Sequence, residues 1–196
     1  LRKEISVFKE DNQVSYVNAV VEGDYITPGL NGLTVNVDKS YLNMKKNNVF
    51  NKNTIVYEQV KPNISLDDYP DKIIKKGNKL KNSISFIVDE NNIEIINYFK
   101  TNKIPFSSSD DNKLCIIKEE YKLNDKCENK IKIMPTIIFN NLNIFNDLNS
   151  ISSGSIIYIE SNLSIENLKI IVDQAKFYSL SIIDIYNLIS ELNNNY

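Results

Sequence analysis

Gly154-Ser155-Ile156-Ile157-Tyr158-Ile159-Glu160 is an apolar run of strand length, entered through Gly-Ser and left through a carboxylate. Tyr158 alternates with Ile157 and Ile159 and reads as a core position. Downstream, Ser164 is placed to cap a helix carrying Ile165, Leu168, Val172 and Ala175 at helical spacing. Leu180 to Ile183 then reads as a short strand, and Asp184 as the cap of a closing helix with Ile185, Leu188, Ile189 and Leu192. Upstream, Ser83 to Val88 is a continuous apolar run between polar residues, as expected of a parallel strand buried on both faces. Asn91 or Asn92 caps a predicted helix that runs to about Thr101, with Ile93, Ile96 and Phe99 on one side. Ile104-Pro105-Phe106 reads as a strand and Ser107 to Asn112 as a polar loop. Leu114 to Ile117, Ile131 to Met134 and Thr136 to Phe139 read as strand pieces, and Asn143 to Asn149 as a short helix. Strands and helices thus alternate from residue 83 onward, which predicts a parallel sheet with crossover helices.

The first third is less regular. Residues 1–13 are polar with scattered apolar positions, read as a frayed end or an edge strand, and Val14 to Val21 as a strand. Gly, Pro and Asn crowd residues 23–32, which reads as turn chemistry. Within it, Gly29-Leu30-Asn31-Gly32 lacks the Gly-Lys-Ser/Thr ending of a phosphate loop and is expected to be a tight turn. After a short strand at Leu33 to Val37, Asp38 is the expected helix cap. Val37 and Leu42 are spaced as a hydrophobic staple, and the helix is expected to reach Asn47. Thr54 to Val60 reads as a strand stopped by Pro62. The expected organisation is a small α+β extension over residues 1–62, a connection over 63–81 and an α/β domain over 82–196.

Hydrophobic residues make up 42% and charged residues 24% of 196, as in ordinary globular chains. A net charge of −2 gives no electrostatic case for nucleic acid, and Arg2 is the only arginine. No stretch is long and apolar enough to cross a bilayer, and no signal peptide is visible. The chain opens on Leu1 rather than Met, which is read as a piece of a longer polypeptide, with any leader or membrane anchor lying outside it. Cys115 and Cys127 flank a polar segment, Lys118 to Lys126. They suit a disulfide of an exported protein, the alternative being two reduced, buried thiols. Without histidine, two cysteines leave a zinc tetrahedron half empty.

Several segments, in order, resemble the polysaccharide deacetylase family of carbohydrate esterases. Gly154-Ser155-Ile156-Ile157 resembles the family's last core strand, which reads roughly Gly-Ser-Ile-Ile-Leu-Leu-His. Ser83-Ile84-Ser85-Phe86-Ile87-Val88 resembles its first strand, Ser-Leu-Thr-Phe-Asp-Asp. Lys103-Ile104-Pro105-Phe106 resembles its Val-Lys-Ala-Thr-Phe-Phe strand, and Ile133-Met134-Pro135-Thr136 falls where an Arg-Pro-Pro-Tyr-like motif is expected. The resemblance spans residues 82–192, and residues 23–62 look like an N-terminal extension of some exported, divergent members. It implies a reduced or incomplete (β/α) barrel-like parallel sheet.

The departures fall on the chemistry. Family members hold a divalent metal with an aspartate and two histidines and use a second aspartate as base. In the register of Ser85-Phe86 those aspartates become Ile87 and Val88; the stretch for the metal histidines is missing between Phe106 and Leu114; and the closing histidine is Glu160. Any surviving chemistry would fall to Asp89, Glu90 and Glu160, which follow core strands and so gather at one mouth of a parallel sheet. Three such oxygen ligands would hold Mg²⁺, Mn²⁺ or Ca²⁺ weakly, and the plainer alternative is that they are solvated loop carboxylates. Tyr25, Tyr41, Tyr57, Tyr69, Tyr98 and Tyr158 are candidates for a sugar-binding groove, against the plainer reading that most fill core positions. The expectation is a non-catalytic deacetylase-like domain of an exported or cell-surface bacterial protein, with no cofactor, binding cell-wall glycan or a surface protein. The alternative is an active metal-dependent N-deacetylase with a carboxylate site.

Overall fold

A computed structural model describes residues 1–119 and 127–194. By contact the chain divides into two units. One holds Val20–Pro28 and Leu66–Ser190, the other Leu1–Ala19, Gly29–Ser65 and the residues from Glu191 on. The chain therefore passes between units four times, and the sequence divisions at residues 62 and 82 do not coincide with this partition.

In the larger unit, β1 (Val20–Glu22) and β2 (Tyr25–Thr27) pair antiparallel as a hairpin. The connection expected over residues 63–81 contains β5 (Ile73–Ile74), an inner strand lying parallel to β2 and to β9 (Ile131–Ile133). Two isoleucines among lysines gave too short a signal to be read as a strand. β8 (Leu114–Ile116) completes this first sheet, parallel to β9. Cys115 and Cys127 are joined in a disulfide, with Cα atoms 5.3 Å apart. Residues 120–126 of the expected polar loop lie outside the described residues.

The second sheet is built on β6 (Ser83–Val88), every residue of which is buried. β11 (Ile156–Ile159) runs parallel on one side, and β10 (Ile137–Phe139) parallel to β11. On the other side β12 (Ser181–Ile182) pairs with the first half of β6 and β7 (Ser107–Ser108) with its second half. Strand β7 thus falls one step beyond the expected Ile104-Pro105-Phe106. The chain moves from β9 in one sheet to β10 in the other through Pro135. Met134 N–H donates to Ile74 and Thr136 N–H to Ile156, so the residue without an N–H sits where the ladder changes partner. Among the described residues the pairings make two open, largely parallel sheets.

Ile84, Phe86 and Val88 of β6 and Ile157 and Ile159 of β11 face helices α3 (Ile93–Thr101) and α5 (Ile165–Phe177). Asn92 caps α3 by accepting from Ile95 N–H, and Ser164 caps α5 by accepting from Asn167 N–H. The buried side of α3 is set by Ile95 and Phe99, whereas Ile93, expected on that face, is 59% exposed at the first turn. Short α4 (Ile144–Asp147) and α6 (Ile185–Ile189) follow, the latter capped by Asp184 as expected. Leu192 lies beyond α6 and is exposed. Gly154 opens the motif strand with φ +93°, and a Cβ there would stand 2.5 Å from the Gly77 carbonyl oxygen. Glycine is required at that position by both conformation and space.

In the smaller unit, Arg2–Asp11 form helix α1, where a frayed end or edge strand is expected. Only three apolar residues mark it, but Leu1, Ile5 and Phe8 recur at helical spacing. They pack with Val35, Tyr41 and Met44. Helix α2 (Val37–Met44) is capped by Asn36, whose side-chain oxygen accepts from Lys39 N–H at 2.9 Å, not by Asp38. Asp38 instead pairs with Arg2 at 2.6 Å. Shifting the cap by two residues turns Leu42 outward (63% exposed), so the expected staple does not form, and the helix ends at Met44. Strands β3 (Gly32–Val35) and β4 (Tyr57–Val60) pair antiparallel. Val14 and Val17 exchange backbone hydrogen bonds with Leu33 and Leu30. A Cβ on Gly29 would lie 2.2 Å from Val17 O, and one on Gly32 2.5 Å from Val14 O. These glycines admit a crossing backbone rather than make the expected tight turn.

Candidate functional site

Parallel strands β6, β7 and β11 of the second sheet end together, with the residues after β8 of the first sheet beside them. Asp89 follows β6, Ser109 follows β7, Glu160 follows β11 and Lys118 follows β8 by two residues. The β6–β11 register, Val88 beside Ile159, is extended by Asp89 N–H donating to Ile159 O at 2.9 Å. Asp89 and Glu160 are therefore neighbours across the ladder.

Tyr158 is the centre of this mouth. It is 2% exposed, and its side chain lies on the face of β11 opposite the α3–α5 layer, as strand alternation with Ile157 and Ile159 requires. Its hydroxyl donates to Asp89 Oδ2 at 2.8 Å, while Asp89 Oδ1 accepts from Asn91 N–H at 2.9 Å. Lys118 holds its ammonium 4.5 Å from the Tyr158 ring centroid and 3.7 Å from Glu160 Oε1. Burial drives the Tyr158 hydroxyl well above the usual tyrosine range. The hydrogen bond to Asp89 and the charges of Asp89 and Glu160 add to that, and the Ser109 hydroxyl opposes it. The phenol stays a neutral donor to a carboxylate.

Of the sequence candidates, Asp89 and Glu160 are brought to the same centre. Glu90 is exposed, and its backbone N–H donates to Ser109 Oγ at 2.8 Å. Asn92 ties the mouth to α3: besides capping, its side chain donates to Glu160 O (2.9 Å) and Leu163 O (3.1 Å). Both Asp89 oxygens already accept hydrogen bonds, and Glu160 faces an ammonium. With two carboxylates only, and a lysine ammonium 3.7 Å from one of them, this donor set does not fit a divalent ion. Among the described residues no group of three His, Cys, Asp or Glu side chains is spaced to hold a metal ion.

Lys118, Ser109 and the Tyr158 hydroxyl escaped the sequence reading. Lys118 follows a parallel strand just as the acids do, so the same rule that found Asp89 and Glu160 reaches it. The candidate groove tyrosines disperse. Tyr41 and Tyr57 pack on the Ile5–Met44 cluster, Tyr98 packs against the α3–α5 core, and Tyr25 lies beneath Lys75 at 3.7 Å.

No family model matches the chain. Among solved structures, wild-type BA3943, a CE4 family pseudoenzyme from Bacillus anthracis, superposes with a TM-score of 0.64 at 16% identity. The superposition covers 98% of this chain and 96% of that one. A BA3943 mutant described as a pseudoenzyme with restored enzymatic activity superposes equally, TM-score 0.64 at 17% identity, over 98% and 99% of the two chains. YlxY of Bacillus subtilis (strain 168), an uncharacterized protein, is 40% identical over 62 residues, 32% of this chain and 19% of YlxY. The chain thus matches about a fifth of that relative's length. The fold is that of a divergent polysaccharide deacetylase-like protein.

Proposed function

We propose that this chain is a non-catalytic polysaccharide deacetylase-like domain of an exported or cell-surface bacterial protein. It keeps the frame of a carbohydrate esterase and uses it to bind cell-wall glycan or a surface protein. We read its two open sheets as the remnant of the family barrel, with residues of the N-terminal third as an extension. The observation that carries the reading is the chain of contacts at the strand mouth. Tyr158 hydrogen-bonds Asp89, and Lys118 lies against both the Tyr158 ring and Glu160. Amide hydrolysis on this frame needs an ion or oxyanion hole, a base and an acid. The groups present are instead a phenol bonded to Asp89 and a lysine ammonium lying over that phenol's ring, 3.7 Å from Glu160.

The Cys115–Cys127 disulfide supports an oxidising compartment. No helix among the described residues is long and apolar enough to cross a membrane. Co-sedimentation with insoluble peptidoglycan and chitin tests the binding role: saturable retention supports it, and passage of all protein into the supernatant leaves only a protein partner.

A second reading, an active N-deacetylase with a carboxylate site, is favoured by the convergence of Asp89 and Glu160 at the mouth. The restored activity of a mutant BA3943 shows that this frame tolerates chemistry in that protein. Here it requires Lys118 and Tyr158 to withdraw.

A further inference from the structure

A cavity of about 630 Å³ lies at the other sheet of the larger unit, where the segment Leu66–Lys72 passes beside β5 and β9. We infer that it is a binding site for a carboxylate-bearing sugar ring. The inference rests on the glycan-binding reading above and adds its ligand class.

Lys132 carries the argument. It sits on the inner strand β9, between Ile73 of β5 and Cys115 of edge strand β8, and is 9% exposed. An ammonium so placed needs a charge partner that shares its burial. Among the described residues its ion pair is with Asp71, whose Oδ1 stands 3.5 Å away on a side chain 93% exposed. That distance exceeds the ~2.7–2.9 Å of a charge-assisted hydrogen bond. Asp71 is thus a distant, solvated counter-ion, and both residues line the cavity.

The rest of the lining matches a sugar acid better than other anions. Ile131 and Ile189 give it an apolar wall, and Tyr69, half exposed, offers a ring for the apolar face of a sugar. Asp71 and Asn129 supply acceptors and a donor for ring hydroxyls. Lys72 and Lys130 add positive charge that Asp67 and Asp71 offset, so with no arginine fork the site suits a singly charged carboxylate better than a phosphate cluster. In the occupied state the ligand carboxylate takes the place Asp71 now holds loosely, and Asp71 turns to solvent.

Calorimetric titration of the whole chain with D-glucuronic acid and N-acetylmuramic acid, against glucose and N-acetylglucosamine, tests this. The acids are expected to bind at least tenfold more tightly than their neutral counterparts. Lys132→Met, which keeps the apolar stem, is expected to abolish that preference with thermal unfolding unimpaired. Asp71→Asn, on the exposed partner, is expected to tighten acid binding severalfold. Equal affinity for acidic and neutral sugars, no binding of either acid at millimolar concentration, or an unchanged preference in Lys132→Met overturns the assignment. Retention on chitin with no glucuronate binding sinks this pocket and leaves the glycan reading standing. Glucuronate binding that needs Lys132, without retention on any wall polymer, does the reverse.

Discussion

The Tyr158 hydroxyl donates to Asp89 Oδ2 at 2.8 Å, joining the residue before the end of one buried strand to the residue just past the end of its neighbour. The pair fills the mouth where this fold places its chemistry. It also gives the fold an alkaline signature. Burial, then Asp89, raises the Tyr158 hydroxyl well above its ordinary value. Tyr186, half-buried and bonded to Asp111 at 2.5 Å, is pushed up to about 12.

Because the folded values lie above the unfolded one, near 10, folding holds protons that the unfolded chain releases. The stabilisation is fully present below that pH and is lost as pH rises through the folded values. Near-ultraviolet titration should therefore show the Tyr158 and Tyr186 protons leaving late. Tyr158→Phe should remove the later one and flatten the alkaline fall in stability relative to wild type. It should also cost about 1–2 kcal/mol at neutral pH, through loss of a hydrogen bond to a carboxylate. Simultaneous titration of all tyrosines contradicts the geometry.

Gly154→Ala should destabilise the larger unit by about 2–3 kcal/mol, read by chemical denaturation. The cost combines a left-handed backbone position with a Cβ 2.5 Å from the Gly77 carbonyl oxygen. Ser155→Ala, next in the chain, removes only the acceptor for Ser152 N–H and should cost about 1 kcal/mol.

Asn92→Ala should cost about 2–4 kcal/mol. It removes the α3 cap and the side-chain donor to the Leu163 and Glu160 carbonyls, the latter keeping only the Leu163 N–H at 3.2 Å. Asn92→Asp restores the cap oxygen and not the two donors, so it should recover less than half of that loss.

Reduction of the Cys115–Cys127 bridge, which closes a loop of separation 12, should lower stability by about 2–3 kcal/mol. Thermal unfolding with and without reductant measures it, and a Cys115→Ser/Cys127→Ser double variant should match the reduced protein.

The buried parallel strands were legible as largely apolar segments of strand length between polar residues: Ser83–Val88 and Ile156–Ile159 stand where the sequence puts them. Helices α3, α5 and α6 were legible through Asn92, Ser164 and Asp184, short polar side chains placed at the start of apolar periodicity. What failed was short or encoded by contact. Ile73–Ile74 is a strand because β2 and β9 flank it, and Arg2–Asp11 is helical because Ile5 finds Val35 and Met44. Gly29 and Gly32 have turn composition but admit a neighbouring backbone, which no local rule distinguishes. At the mouth, Asp89 and Glu160 were found by the strand-end rule. Lys118, just past β8, is within reach of the same rule, but only its place over the Tyr158 ring sets it apart from the other lysines.

The central claim is that the frame persists without its catalysis. Acetate release from N-acetylchitooligosaccharides and peptidoglycan, with Zn²⁺, Co²⁺ or Mn²⁺ supplied, tests it most directly. The account predicts release no faster than in protein-free controls, unchanged by Glu160→Gln. Robust turnover that disappears in Glu160→Gln would contradict it.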